Sequence, residues 1–256
     1  MNEKQSFIHK LYIVIALCIT VSAGLVYLLL TDKNEEHVTK PAVKEPASSK
    51  TSSFEEPKEP EEVVYDTESN GSLYRIANYD HPIDKDYVPD DLVDAGVKCR
   101  PDTKIRSCMK NDLKNMFVEA SQSGLDLYLV SGYRSYEEQE RLYAYYVSEY
   151  GETVARTMDA YPGVSEHMLG LSVDLGTSDH VFELEDSFSS TDAYAWLMEH
   201  AYEYGFILRY PQNSKEINGI DYSPWSFRYV GTDMAEKIYM SKETMEEYFY
   251  GTDGNS

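Results

Sequence analysis

Twenty consecutive residues without a charge, Leu11 to Leu30 ("LYIVIALCITVSAGLVYLLL"), set the plan of this chain before any motif is read. As a helix rising about 1.5 Å per residue, such a run spans the roughly 30 Å hydrocarbon core of a bilayer. Lys4 and Lys10 precede it, and Asp32, Glu35 and Glu36 follow. The excess of positive charge on the N-terminal side predicts residues 1–10 in the cytoplasm and the rest of the chain outside it. "VSA" at 21–23 matches a signal-peptidase site, so a cleaved leader is the competing reading. The apolar run continues through "LVYLLL", which a cleaved leader does not need, and a single-pass signal anchor in the cell membrane is the expectation. Cys18 follows Leu17 rather than a small residue, which reads as a membrane-facing apolar position.

Residues 31–62 hold four of the ten prolines and a single aromatic, Phe54. A segment of this kind cannot bury enough apolar surface to offset its ordering entropy, and it reads as a flexible, disordered stalk. Composition changes at about Val63: 21 of the 23 tyrosines lie beyond the stalk. Residues 31–256 carry 21 basic and 44 acidic side chains, a net charge of −23. That charge argues against nucleic acid and against an anionic membrane surface as partners. Cys99 and Cys108 are the only cysteines outside the apolar run, and their spacing allows either a small disulfide loop or two free thiols.

Helices and short strands alternate irregularly along residues 63–256, with the core at about 75–250. Leu113, Met116, Phe117 and Ala120 recur at helical spacing between Lys110 and Gly124. "LDLYLVSG" (125–132) alternates like a strand, and Ser135 with Glu138 forms a capping box that opens a helix. "LSVDLG" (171–176), "FILRY" (206–210) and Phe227 to Val230 read as further strands, with helices over 191–204 and 232–249. Without a regular βαβ rhythm, the expected class is α+β, a small antiparallel sheet with flanking helices.

Three stretches carry chemistry. "SGYRS" (131–135) presents Arg134 at a strand end, where its fork suits a carboxylate or a polarised carbonyl, or an ordinary salt bridge. "SEHMLGLSVD" (165–174) brings His167 from a loop towards Asp174 on the strand that follows. An imidazole and a carboxylate so placed suit Zn²⁺, or form a hydrogen-bonded pair with a structural role only. The third stretch is "GIDYSPWSFRYVG" (219–231).

Together with "DKDYVPDDLV", "DLYLVSGYRSYEEQERLY", "YGFILRYP" and "MEEYF", these motifs resemble the vancomycin-resistance type of D-alanyl-D-alanine carboxypeptidase. That family belongs to a group of zinc peptidases which also holds D,D-dipeptidases and hedgehog-like domains. The resemblance runs in order from about residue 85 to residue 249. It implies His167 and Asp174 as two of three zinc ligands, in the pattern S-x-H-x-x-G-x-x-x-D. It implies Arg134 at the substrate's scissile carbonyl and terminal carboxylate, and Gln139, Ser165 and Trp225 as substrate-side positions. The implied partner is a peptidoglycan stem peptide ending in D-Ala-D-Ala.

One departure stands out. Where the family's last motif reads E-P-W-H, this chain reads S-P-W-S, so Ser223 takes the place of the general-base glutamate and Ser226 that of the third ligand, a histidine. A neutral hydroxyl is a poor zinc donor, and it has no useful basicity near neutral pH. Weak or absent zinc binding and absent or very weak hydrolysis are the expectations, with His180 as the one stand-in ligand and Asp221 as the one stand-in base. A non-catalytic module binding D-Ala-D-Ala or a partner is the other reading.

Overall fold

The computed structural model describes residues 64–159, 161–179 and 184–251, which belong to one compact unit, Glu61–Ser256. The expected anchor at 11–30, the stalk at 31–62 and His180 lie outside the described residues. Among the described residues no helix is long and apolar enough to cross a membrane.

Local signals place most elements. In helix α1 (Lys110–Gln122), Leu113, Met116 and Ala120 form one buried stripe, and Gly124 takes the left-handed conformation just past its end (φ +80°). Ser135 and Glu138 close both halves of the expected capping box on helix α2 (Tyr136–Tyr150). Helix α3 (Asp192–His200) starts on Thr191, whose hydroxyl accepts from the Tyr194 N–H at 3.1 Å, and continues as a 3-10 turn to Gly205.

The stretch expected as one helix over 232–249 is two, α4 (Thr232–Ser241) and α5 (Met245–Tyr250). Lys242 ends the first in a left-handed turn, and Thr244 with Glu247 forms a second capping box that opens the next. Cys99 and Cys108 are both free thiols.

Strands β1 (Leu92–Asp94) and β2 (Lys104–Arg106) form a small antiparallel pair that three-residue signals are too short to announce. The main sheet joins β3 (Leu127–Ser131), β4 (Ser172–Thr177), β5 (Phe206–Leu208) and β6 (Ser226–Tyr229) in the order β3-β4-β6-β5, antiparallel throughout. The architecture is therefore α+β, as the mixed pattern predicts.

Because side chains alternate across a strand, the two faces of β4 divide the work. Val173 and Leu175 join Leu127, Leu129, Phe227 and the α1 stripe in the main hydrophobic core. Ser172 and Asp174 face the other way, level with Arg228 and Ser226 on β6. A second core of Ile76, Ile207, Val230, Met234, Ala235, Ile238 and Met245 seats α4 and α5.

On that polar side lies a buried ion cluster. Glu166 accepts from Arg209 Nε at 2.7 Å and pairs with Arg228 Nη1 at 2.7 Å, while Arg209 also reaches Glu246 at 2.6 Å. None of these four side chains is more than 6 % exposed. Burial pushes the Glu166 carboxyl up, but the two guanidinium groups outweigh it and hold the group at about 2. Its contribution to stability is therefore complete above about pH 4.5 and is lost as the pH falls through about 2. Glu166→Gln leaves two buried guanidinium groups short of an anion and should cost about 3–5 kcal/mol of unfolding free energy. Urea unfolding at neutral pH checks the size, and the variant should lose less stability on acidification than the parent.

Candidate active site

The cleft is assembled around β4. His167 sits in a 3-10 turn, Glu166–Leu169, that the Ser165 hydroxyl caps by accepting from the His167 N–H at 3.4 Å. Gly170 ends this turn in the left-handed conformation (φ +67°), and its missing side chain leaves room for Arg106 and Leu92. Glu166 points from the same turn into the ion cluster, so the cluster fixes the backbone that carries His167.

His167 is fully buried. Its Nδ1 lies 2.6 Å from the Gly132 carbonyl oxygen, which can only accept, so Nδ1 carries a proton and Nε2 faces the Asp174 and Asp159 carboxylates behind the cleft wall. Nε2 meets Asp174 Oδ1 at 3.3 Å.

Arg134 closes the other side. Its Nη1 donates to Asp174 Oδ2 and to Ser131 Oγ, both at 3.2 Å. Its Nη2 donates to the Asp159 carbonyl at 3.0 Å and to Ser165 Oγ at 3.5 Å. A guanidinium has five N–H donors, and here only Nε lacks a protein acceptor. The fork that the sequence reading opens to a ligand is turned largely onto the protein itself. Burial would raise the Asp174 carboxyl, but the His167 and Arg134 charges outweigh it and hold it below the usual range.

Asp159 was not legible as a site residue. It lies eight residues before His167 in an irregular segment, and only the fold brings it in. Its Oδ2 is 3.6 Å from His167 Nε2 and 3.9 Å from Arg134 Nη2, and neither carboxylate oxygen has a hydrogen-bond partner. Burial pushes its carboxyl upward, against the pull of His167 and Arg134.

The remaining expected residues divide. Ser226 pairs in register with Asp174, and its hydroxyl is buried without a hydrogen-bond partner. Ser223 and Trp225 line the cleft with Arg134, Asp159, Asp174 and Tyr146, around a volume of about 230 Å³. The Ser223 hydroxyl donates to the Asp221 carbonyl at 3.0 Å. Asp221 lines the same cleft, but its carboxylate is taken by Lys215 at 2.6 Å and by the Thr157 hydroxyl. Those partners hold it below the usual carboxylate range in spite of burial, so it is poorly suited to act as a base. Gln139 is wholly buried and does not line the cleft, and its amide has no hydrogen-bond partner among the described residues.

With this geometry in view, residues 102–232 match the VanY family, D-alanyl-D-alanine carboxypeptidase. The chain belongs to that family. It is 36 % identical over 178 residues to the bifunctional D-Ala-D-Ala dipeptidase and carboxypeptidase VanXYC of Enterococcus gallinarum, covering 68 % of this chain and 92 % of that one. Among solved structures it is similar to the LdcB LD-carboxypeptidase, at 40 % identity and a TM-score of 0.63, over 68 % of this chain and 84 % of that one. It is also similar to a mutant of the vancomycin-resistance D,D-pentapeptidase VanY in complex with Zn(II), at 34 % identity and a TM-score of 0.58, over 69 % and 98 % of the two chains.

Zinc is thus expected of the VanY family, and a catalytic zinc centre takes three protein donors with one position open. At 226, level with Asp174 on the neighbouring strand, this chain carries a hydroxyl. Among the described residues no group of three His, Cys, Asp or Glu side chains is arranged to hold a metal ion. The donor set does not fit the family's centre.

The placement of His167 depends on one close approach. A side chain at Gly132 would put its Cβ 2.4 Å from the Lys104 carbonyl oxygen, where the strand end crosses β2. Gly132→Ala should therefore move the carbonyl that holds His167 and cost about 1–3 kcal/mol. Thermal unfolding measures the cost, and the His167 ring resonances in NMR should shift with it.

Proposed function

We propose that this VanY-family chain binds peptidoglycan stem peptides ending in D-Ala-D-Ala and hydrolyses them very slowly or not at all. The observation that carries the reading is the pair of serines at 223 and 226. Ser226 stands level with Asp174 on the neighbouring strand, where the family's third ligand is expected, and Ser223 stands on the cleft wall, where its base is expected.

Two separate capacities are missing. A metal-bound water needs a cation gripped firmly enough to lower its pKa towards about 7. A general base contributes a further 10²–10⁴-fold, about 3–5 kcal/mol of barrier. A hydroxyl supplies neither, and Asp221 is engaged elsewhere. What the chain's own residues supply is a cleft of about 230 Å³. Trp225 and Tyr146 offer apolar walls, and Arg134 places a positive charge at the cleft wall. Asp159 adds a carboxylate to the same wall.

The uncharged run at 11–30 would hold this domain on the outer face of the cell membrane, with the stalk giving it reach. The alternative of a fully active enzyme rests on His180, which lies outside the described residues, and on Asp221, whose carboxylate is held by Lys215 and Thr157.

Release of D-Ala from a pentapeptide stem, and from the tetrapeptide that an LD-carboxypeptidase takes, should stay near background with the full-length chain. Ser223→Glu combined with Ser226→His should raise release by about 100-fold or more. Turnover of the unaltered chain at about 1 per second or faster would contradict the reading.

A further inference from the structure

A second groove lies on α2, away from the cleft. Tyr136, Glu140, Tyr143, Tyr161 and Pro162 line a volume of about 320 Å³. This is at the lower end of the ~300–1,000 Å³ that small-molecule sites occupy. Three of its five lining residues are tyrosines. Tyr143 and Tyr161 meet edge to face with centroids 4.9 Å apart, and Tyr79 backs Tyr161 at 5.2 Å. The Arg156 guanidinium lies 4.8 Å from the Tyr79 ring and 5.5 Å from the Tyr161 ring, which fixes their orientation from behind.

Two acceptor-bearing groups complete the groove. Glu140 is exposed, and the Tyr143 hydroxyl is shielded from solvent with no hydrogen-bond partner. A buried hydroxyl without a partner is costly, and it marks a place where a ligand's polar group is wanted.

We propose that this groove is a saccharide subsite, which takes the glycan strand to which the stem peptide of the preceding section is attached; to that extent it rests on that reading. A pyranose presents one face of C–H groups and a rim of hydroxyls. The C–H face suits the negative face of a tyrosine ring, and the rim suits a carboxylate that accepts and a phenol that both donates and accepts. A neutral sugar also meets no repulsion from a domain this acidic, unlike nucleic acid or an anionic lipid.

Helix α2 ties the groove to the cleft. Glu140 and Tyr143, three residues apart, face the groove, whereas Leu142 and Tyr146, four apart, line the cleft. One rigid helix therefore separates the two sites by no more than its own width, about 10–12 Å with side chains. A peptide in the cleft and the sugar that bears it can be held at once, and joining two weak sites in this way raises affinity through effective concentration.

The test is titration of the full-length chain with a peptide-free N-acetylglucosamine tetramer, by calorimetry or by tyrosine-ring NMR shifts, beside a parallel titration with a D-Ala-D-Ala peptide. Saccharide binding in the millimolar range is expected. Tyr143→Ala should weaken it by about tenfold, the scale of one lost aromatic contact. Tyr143→Phe should weaken it less, since it keeps the ring and loses only the hydroxyl. Glu140→Ala, on an exposed position that cannot disturb the core, should weaken it as well. All three variants should bind the peptide as before. No saccharide binding to the parent chain, or binding unchanged in both Tyr143→Ala and Glu140→Ala, overturns the subsite. Failure of peptide binding alone, with saccharide binding intact, counts against the stem-peptide reading and leaves the subsite standing.

Discussion

Glu166, buried between Arg209 and Arg228, is the interaction on which the cleft depends. One carboxylate joins the turn that carries His167 to β6 and, through Arg209 and Glu246, to helix α5. Each of these charges would be strongly unfavourable alone in the interior; together they satisfy one another. The cluster also explains why the C-terminal helices are part of the site's foundation although none of their residues lines the cleft. A short 3-10 turn has little cohesion of its own, and its geometry is borrowed from this cluster and from the Gly132 carbonyl.

What the sequence made legible follows local physics. Strand alternation in "LDLYLVSG", the capping box at Ser135 and Glu138, and the glycines after α1 and α3 all act within a few residues, and the structure carries them where they are expected. The pairing of His167 with Asp174 was legible for a different reason: ordered motifs over most of the domain carry a family's geometry with them. What could not be read depends on distance in sequence. Asp159 enters the cleft from an irregular segment with no periodicity. The commitment of Arg134 to the protein's own acceptors depends on four residues spread from Ser131 to Asp174. Asp221 looked available until Lys215 and Thr157 were seen to hold it. The break between α4 and α5 turns on a single left-handed residue, Lys242, which composition does not announce.

The site therefore retains the shape of a peptidase cleft while its charges are balanced within the protein. Asp174 and Asp159 face one guanidinium and one imidazole, with no second imidazole at 226. The turn, the glycine contact and the ion cluster that position His167 are all present in this chain.

The most direct test is the metal content of the full-length chain, measured by elemental analysis after equilibration with micromolar zinc and removal of the excess. The account predicts far less than one zinc per chain, and no change in melting temperature when a chelator is added. One tightly held zinc per chain, whose removal lowers the melting temperature, would contradict it. Loss of that zinc in Asp159→Asn would show that a carboxylate had taken the place left by the hydroxyl at 226.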